Sequence, residues 1–250
     1  MKIKNLKLKI SVVLLLASSI LLLASRPSEA ASASASASVN VKATIAQSLT
    51  VSIAGLGDNI PVNTGNSACQ NSETTNSGNP SSSTVVNLGR LKDTPTATDI
   101  KIGNLSAQLI TVTTNAFNGY VLSASSSGHL NNQNANFSLS DTPTPSAIPL
   151  GQNFFGFHPC GLDTDQSLWM NTPNQACNSM VSGSSSNLCK YAWPDLNSSL
   201  ILAQDPTGPV GENLQAGNGV TTIQYGAGID STVPGGNYQT TIRYIITPTF

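Results

Sequence analysis

Two histidines and four cysteines are the residues of this chain with the most chemical potential. His129 lies in a Ser-, Gly- and Asn-rich stretch with no nucleophile or carboxylate at a recognisable spacing. His158 precedes Pro159 and Cys160, and we expect it to pack beside a disulfide. Neither a Gly-x-Ser-x-Gly motif nor a phosphate-binding Gly-x-x-x-x-Gly-Lys motif occurs. The sequence therefore predicts no catalytic residue, no cofactor and no enzyme, although a triad can assemble from distant positions.

The cysteines are even in number, Cys69, Cys160, Cys177 and Cys189, which in an exported chain predicts two disulfides. Four cysteines permit three connectivities. We prefer Cys177–Cys189, because these residues are only 189 − 177 = 12 positions apart in a Ser-rich stretch, and Cys69 then pairs with Cys160. Closing the short loop should contribute about 3 kcal/mol in the chain-entropy model. A zinc site is the alternative, but no Cys-x-x-Cys or closely spaced Cys/His pair occurs, so no metal is predicted.

Three aromatic residues near the cysteines, Trp169, Tyr191 and Trp193, are candidates for a ligand contact. Exposed rings with Asn and Asp nearby can stack on a surface glycan or anchor a protein partner. The alternative is that the rings form the small core of their own segment around Cys177–Cys189. We favour this second interpretation.

Two further motifs carry weaker signals. Residues 163–167 begin like a calcium loop, but Leu168 stands where the loop needs Gly and Asn174 where it needs Glu, so a surface turn is predicted. N-glycosylation acceptor patterns begin at Asn104, Asn136 and Asn197. They matter only if the host glycosylates exported asparagine.

The N-terminus has the pattern of an export signal. A lysine-rich start precedes an apolar stretch over residues 10–24, and small residues at Ala30 and Ala31 suit cleavage. We interpret residues 1–30 as a signal peptide that contacts the membrane only before cleavage, and residues 31–38 as a low-complexity Ala/Ser spacer. An uncleaved anchor is the alternative, but the apolar stretch is shorter than the ~20 residues that a spanning helix needs. The mature protein is therefore expected to be secreted or on the cell surface.

The composition narrows the function classes. Only 9% of the residues are charged and the formal net charge is -1. No basic patch follows the signal segment, so nucleic-acid binding is not expected. Abundant Ser, Thr, Asn and Gly favour strands and turns over helices.

Alternating apolar residues predict the strands. Residues 39–45 and 49–53 alternate on either side of a bend, and residues 106–125 predict a β-hairpin whose Asn118-Gly119 turn joins two alternating stretches. Residues 238–246 alternate again and should dock against the first strand or this hairpin. Shorter strands are predicted at 85–91, 100–102, 137–139, 200–203 and 220–225, with one helical turn near 165–170. The pattern indicates an all-β protein: an antiparallel β-sandwich over residues 39–250 with a disulfide-pinned, aromatic-rich insertion at about 151–195.

Several of these stretches resemble a known group of proteins. SLTVSI at 48–53, VNLGRL at 86–91, ITVTTNAFNGYVLSA at 110–124 and NYQTTIRYIITPTF at 237–250 are similar to secreted bacterial surface β-sandwiches, namely WxL-domain-like wall proteins and fimbrial or spore-coat-U-like subunits. The Trp-x-Leu signature is absent, since Met170 follows Trp169 and Pro194 follows Trp193.

The expected function is a non-enzymatic structural or adhesive role on the cell surface or in secretion. One alternative is a fibre or surface-layer subunit that self-assembles when residues 39–53 or the C-terminal strand pair with a neighbour's sheet edge. The other is a glycan-binding or glycan-active protein that uses the aromatic insertion.

Overall fold

The computed structural model describes residues 42–91, 103–147, 152–178, 187–210 and 219–250. The chain divides into two compact units, Met1–Thr44 and Ile45–Phe250. The signal segment (1–30), the spacer (31–38) and the strand predicted at 100–102 lie outside the described residues. All the strands described below belong to the second unit.

The elements in chain order are β1 Leu49–Gly55, β2 Gly103–Thr114, β3 Tyr120–Ser126, β4 Asn131–Asn132, β5 Phe137–Ser138, β6 Ser146–Ala147, β7 Phe154–Cys160, α1 Gln166–Trp169, β8 Lys190–Tyr191, β9 Leu200–Asp205, β10 Val220–Gly228 and β11 Ile242–Pro248.

These elements form an antiparallel β-sandwich, which confirms the predicted fold class. A four-stranded sheet of order β1-β2-β10-β7 packs against a three-stranded sheet of order β11-β3-β9. Two short ladders, β4-β5 and β6-β8, complete the pairing. The helical turn predicted near residues 165–170 is α1, and the predicted C-terminal strand docks on β3.

The main core lies between the two sheets and is rich in aromatic rings. Phe157 of β7 is at its centre, with ring centroids 5.6 Å from Trp193, 5.9 Å from Trp169 and 6.3 Å from Tyr225. Leu122 of the opposite sheet is fully buried in the same cluster. Tilted and edge-on ring pairs of this kind contribute beyond their buried area, so these few rings supply much of the packing.

The face of the four-stranded sheet that points away from the sandwich, here called the outer face, is also buried. Leu105 and Ala107 of β2 lie in a second apolar cluster with Leu56, Val62 and Tyr191. Because β2, β7 and β10 bury both faces, their sequences lack the clean polar alternation of a half-exposed strand. The long polar stretch after β1 and the segment around the second disulfide cover this face.

Both disulfides hold this cover, in the pairing preferred from the sequence. Cys69, in the stretch after β1, is bonded to Cys160 at the end of β7, and Cys177 is bonded to Cys189. Asn71 reinforces the attachment, since its side-chain amide donates to the Gln224 amide oxygen on β10 at 2.8 Å. The loop without periodicity is thereby pinned to the sheet.

The β-hairpin predicted over residues 106–125 is wrong. β2 pairs with β1 and β10, whereas β3 pairs with β11 and β9. The connection therefore crosses from one sheet to the other. A hairpin and a crossing connection both need two alternating strands and a tight turn, so the local sequence does not separate them.

Gly119 shows what holds this crossing. Its φ is +69° and a Cβ placed there would lie 1.9 Å from the Asp205 carbonyl oxygen. Its backbone N–H donates to Ala116 and its carbonyl accepts from Thr249 at 2.9 Å. The connection is thus hydrogen-bonded to the chain just after β11. Glycine is needed at this position because its φ is positive and a Cβ would clash with the neighbouring backbone.

Two other predicted boundaries need correction. The insertion predicted at about 151–195 begins later, because Phe154–Cys160 is strand β7 of the four-stranded sheet. Residues 85–91 form no strand; they lie as irregular chain whose Val86, Leu88 and Leu91 pack against the main core. In both places the apolar residues indicate burial correctly, but they do not indicate whether the backbone pairs with another strand.

We expect the two disulfides to contribute unequally to stability. The Cys69–Cys160 bond closes a separation of 91 residues and the Cys177–Cys189 bond one of 12. The chain-entropy model gives about 4.6 and about 2.8 kcal/mol, respectively. Urea denaturation should therefore show a greater loss for C69S/C160S than for C177S/C189S. An equal or reversed order would show that native contacts around the shorter loop outweigh chain entropy.

We expect Phe157→Ala to lower the free energy of unfolding by about 3–5 kcal/mol, because it removes a fully buried ring and leaves a cavity. Phe117→Ala is the matched control, since that ring is 77% exposed, and it should change stability by less than about 0.5 kcal/mol. Urea denaturation of the oxidised proteins measures both. Similar losses for the two variants would contradict the assignment of the core.

Candidate functional site

The three aromatic candidates for a ligand contact are buried. Trp169 and Trp193 belong to the main core and Tyr191 to the outer-face cluster. The Trp193 indole N–H donates to the Gly128 carbonyl at 2.8 Å, so its polar end is also engaged. The interpretation as an exposed contact surface is wrong for these rings, because no ring face is left for a sugar. The rings are buried, as the favoured interpretation predicts. However, Trp169 and Trp193 pack in the main core of the sandwich rather than in a separate core of the insertion.

His129 lies on the surface and contacts a carboxylate that the sequence did not place near it. Its Nδ1 is 2.8 Å from Asp141 Oδ2. Burial raises the pKa of the Asp141 carboxyl despite this partner. Among the hydrogen bonds of the described residues, none joins a hydroxyl or thiol to His129 Nε2. Within the described residues the pair therefore has an orienting acid and no hydrogen-bonded third member of a triad.

The calcium-like stretch at 163–167 separates into two structural roles. Asp163 is buried and accepts hydrogen bonds from the Tyr120 hydroxyl at 2.7 Å and the Gly219 backbone N–H at 2.6 Å. Burial raises the pKa of the Asp163 carboxyl. Asp165 caps α1 by accepting from the Ser167 and Leu168 backbone N–H groups. The two carboxylates thus serve different partners. Asp165 caps a turn, but Asp163 and Thr164 are buried, so the prediction of a surface turn holds only for the second half of the stretch.

The three glycosylation patterns fall in different surroundings. Asn136 and Asn197 are exposed and have positive φ angles of 49° and 66°. The Asn104 amide instead donates to the Leu88 carbonyl at 2.6 Å and is only partly exposed. Its nitrogen is thus already engaged in the fold.

His158 packs beside a disulfide, as the sequence predicts, and it does so on the outer face. It lies opposite Gln224 of β10 in the strand register, and its Nε2 is 3.7 Å from Cys177 Sγ. Its Nδ1 lies 3.0 Å from the Lys190 carbonyl oxygen, which can only accept. This places the ring proton on Nδ1 and leaves the Nε2 lone pair facing sulfur.

The electrostatic environment of His158 keeps it neutral. The side chain is fully buried, and this desolvation lowers the pKa of the imidazole to about 4. The hydrogen bond to the Lys190 carbonyl opposes the shift but is the smaller effect. A neutral imidazole with one free lone pair is a potential ligand or proton acceptor.

The sandwich has four strands facing three, and this mismatch leaves one edge incompletely covered. The β1 residues Leu49, Val51 and Ile53 face the same side as the core residues Ile110 and Val112, as their register with β2 requires. Leu49 and Val51 are nevertheless 40% and 37% exposed. The three-stranded sheet ends at β11. The inner side of β1 therefore lacks an opposing strand among the described residues.

A groove of about 1280 Å³ runs along this edge. Ile53 of β1, Ile246 of β11 and Leu88 are among its lining residues. Tyr225 and Tyr244 also line it, and their hydroxyls hydrogen-bond each other. Burial raises the pKa of both phenols above their ordinary value. The groove lining is therefore mixed, with apolar side chains beside polar ones that include Gln108 and the protonated tyrosine pair.

Residues 83–91, here called the strap, lie along the groove without pairing to either sheet. The hydrogen bonds to its backbone are local or come from side chains. The Ser82 N–H donates to the Val85 carbonyl at 2.8 Å, and the Asn104 side-chain amide donates to the Leu88 carbonyl. The outward backbone edges of β1 and β11 have no strand partner within the described residues. Unpaired edges of this kind accept further strands.

Side chains at and just after the end of β2 bind the chain immediately before β1. The Asn115 side chain accepts from the Ser48 N–H at 2.8 Å and donates to the Ala46 carbonyl at 2.7 Å. The Thr114 hydroxyl donates to the Ser48 carbonyl at 2.8 Å. Ile45 is 84% exposed. The sequence indicates residues 39–53 and the C-terminal strand as segments that could pair with a neighbour, and β1 and β11 both lie at sheet edges. The sequence does not indicate that four strands face three, because that number depends on which strands pair.

No family model, curated protein or solved structure matches this chain at a significant level. Within the part of the chain that the structure describes, no helix has the length and apolar character to cross a membrane. The two disulfides indicate folding in an oxidising, extracellular compartment.

We expect acid to destabilise the fold through His158. The unfolded imidazole has a pKa near 6.5 and the folded one about 4, so its contribution is complete above pH 6.5 and is lost as the pH falls towards 4. The loss should approach roughly 3 kcal/mol. His158→Asn should therefore show a smaller drop in unfolding free energy between pH 7 and 4.5 than the wild type. Identical pH profiles for wild type and His158→Asn would contradict the assignment.

Proposed function

We propose that this chain is an exported, non-enzymatic structural subunit that assembles with copies of itself by strand addition. The observation that carries the proposal is the apolar inner side of β1, which no strand of the opposite sheet covers. A single additional strand beside β11 would lie over Leu49, Val51 and Ile53 and equalise the two sheets. Backbone pairing would supply affinity and alternate side chains would supply specificity.

The segment at residues 39–45 has the chemistry for this position. Val39, Val41, Ala43 and Ile45 alternate with polar residues, so an extended segment presents one apolar face. It is seven residues long, as are β1 and β11. The strap offers less, because it fills part of the groove with side chains and forms no backbone ladder.

The acceptor is a second copy rather than the same chain. To lie along its own groove, the segment would have to reverse direction immediately before β1. Asn115 binds both Ala46 and Ser48 and so anchors the chain immediately before β1. In this proposal the segment adds to the groove of a second copy, in a head-to-tail arrangement. Such heterologous contacts generate filaments when the rotation does not close a ring.

An adhesive or glycan-binding role has less support. The rings that would stack on a sugar lie in the cores. Export agrees with the two disulfides, and a secreted or surface-attached location forms part of this proposal. The structural role therefore depends on the groove and the sheet edges.

The test compares Ile45→Asp with Thr44→Asp in the full chain expressed with its own export segment. Ile45→Asp places a charge on the apolar face of the segment and should weaken self-association by more than about 10-fold. Thr44→Asp adds the same charge to the opposite face and should leave association near wild type. Analytical ultracentrifugation over a concentration series measures both, and electron microscopy of the wild type reveals filaments.

Wild-type protein that stays monomeric at its highest soluble concentration would overturn the proposal. So would equal weakening by the two substitutions, because the effect would then follow charge rather than the apolar face. Near-ultraviolet circular dichroism of the buried tryptophans checks that each variant is folded.

A further inference from the structure

Three potential metal ligands meet on the outer face of the four-stranded sheet. His158 Nε2, Cys177 Sγ and Cys189 Sγ all lie within 4.8 Å of one another and are buried. They come from β7 and from the two ends of the loop that the second disulfide closes. The sequence did not reveal this group, because His158 is 19 and 31 positions from the two cysteines (177 − 158 and 189 − 158) and only the fold brings them together.

We propose that His158, Cys177 and Cys189 form a zinc(II) site when the two cysteines are reduced, so that disulfide formation and metal binding are alternative states of the same sulfur atoms. This site is independent of the assembly groove. It also does not conflict with the disulfide present in the structure, because that bond is the oxidised alternative.

The distances suit a tetrahedral zinc ion. Zinc–nitrogen bonds of about 2.0–2.1 Å and zinc–sulfur bonds of about 2.3 Å require N···S separations of roughly 3.6 Å and an S···S separation of roughly 3.8 Å. The observed distance from His158 Nε2 to Cys177 Sγ is 3.7 Å. The two sulfur atoms, which the disulfide bonds to each other, must separate to bind the ion. Three protein ligands leave the fourth position to water.

The neighbouring hydrogen bonds are those that support a metal site. Histidines that bind zinc through one nitrogen usually donate their other N–H to a carbonyl or carboxylate. The His158 Nδ1–H does this with the Lys190 carbonyl at 3.0 Å. The Asn71 amide donates to Cys189 Sγ at 3.5 Å, and an N–H donor of this kind stabilises a thiolate. The imidazole is therefore oriented and the sulfur has a donor before any metal arrives.

Two equivalents of a thiol supply two electrons and two protons, become a disulfide themselves and convert the protein disulfide to two thiols. A phosphine supplies the two electrons and becomes its oxide, and water then supplies the oxygen and the two protons. Zinc then displaces both thiol protons, which pass to solvent, and the neutral imidazole binds through its lone pair. Reoxidation returns two electrons to the oxidant, restores the S–S bond and releases the ion. The Cys69–Cys160 pair is the natural comparison, because Gln224 rather than an imidazole contacts its sulfur atoms.

The experiment uses zinc chloride and the full chain refolded with a phosphine reductant, which has no thiol to compete for metal. C69S/C160S retains the proposed site and should bind one zinc ion per chain. C177S/C189S retains only the two cysteines that are not grouped with His158 and should bind more than about 10-fold more weakly, as should C69S/C160S/H158N. Cobalt(II) in place of zinc should give the thiolate and tetrahedral absorption bands only in C69S/C160S.

The wild-type chain provides a test that does not need the serine variants to fold. In reduced wild type, adding zinc should slow the alkylation of Cys177 and Cys189, mapped by mass spectrometry, and leave the alkylation rates of Cys69 and Cys160 unchanged. Adding oxidised glutathione should release the zinc as the second disulfide forms. Equal protection of all four cysteines, protection of the other pair, or no protection with saturating zinc would each overturn the proposal.

Discussion

The requirement to bury both faces of the four-stranded sheet organises the rest of this molecule. One face packs against the second sheet around Phe157, while the other must be covered by chain with few large apolar side chains. Irregular chain cannot hold such a position by apolar contact alone, since ordering each residue costs about 1–2 kcal/mol of backbone entropy. Two disulfides and the Asn71–Gln224 hydrogen bond secure the cover instead. Cross-links here substitute for apolar area.

Because the covering chain has few large apolar side chains, the buried outer face is held partly by polar contacts. Asn66 donates to the Cys160 carbonyl at 3.0 Å and the Thr222 hydroxyl at 3.2 Å, both on the covered sheet. Burying an amide without hydrogen-bond partners costs free energy. Asn66 and Asn71 therefore favour the one position of the covering chain in which they bond to the sheet. The cover is therefore specific as well as attached. His158 belongs to this arrangement, and its position beside sulfur follows from the strand register rather than from nearby sequence.

The two edges of the sandwich are treated differently. At the β7 edge, Phe157 exchanges backbone hydrogen bonds with Ala192 at 3.0 and 3.1 Å, so later chain closes the side of the sheet. At the β1 and β11 edge, the strap supplies apolar side chains without a backbone ladder. The molecule thus protects one edge from further pairing and leaves the other able to accept a strand. The proposed head-to-tail assembly uses this asymmetry.

The sequence by itself predicted most of the long strands, the two faces of β11, the preferred disulfide pairing and the helical turn at α1, because side-chain alternation, turn residues and cysteine spacing are local properties. It was wrong at residues 85–91, which form no strand, and it placed β7 in the insertion. Only the tertiary structure decided that β2 and β3 lie in different sheets, that Trp169, Tyr191 and Trp193 are buried, and that His158 faces Cys177. Each of these depends on which distant strands become partners. Partner choice is set by packing over the whole core, and a period of two residues carries no information about it.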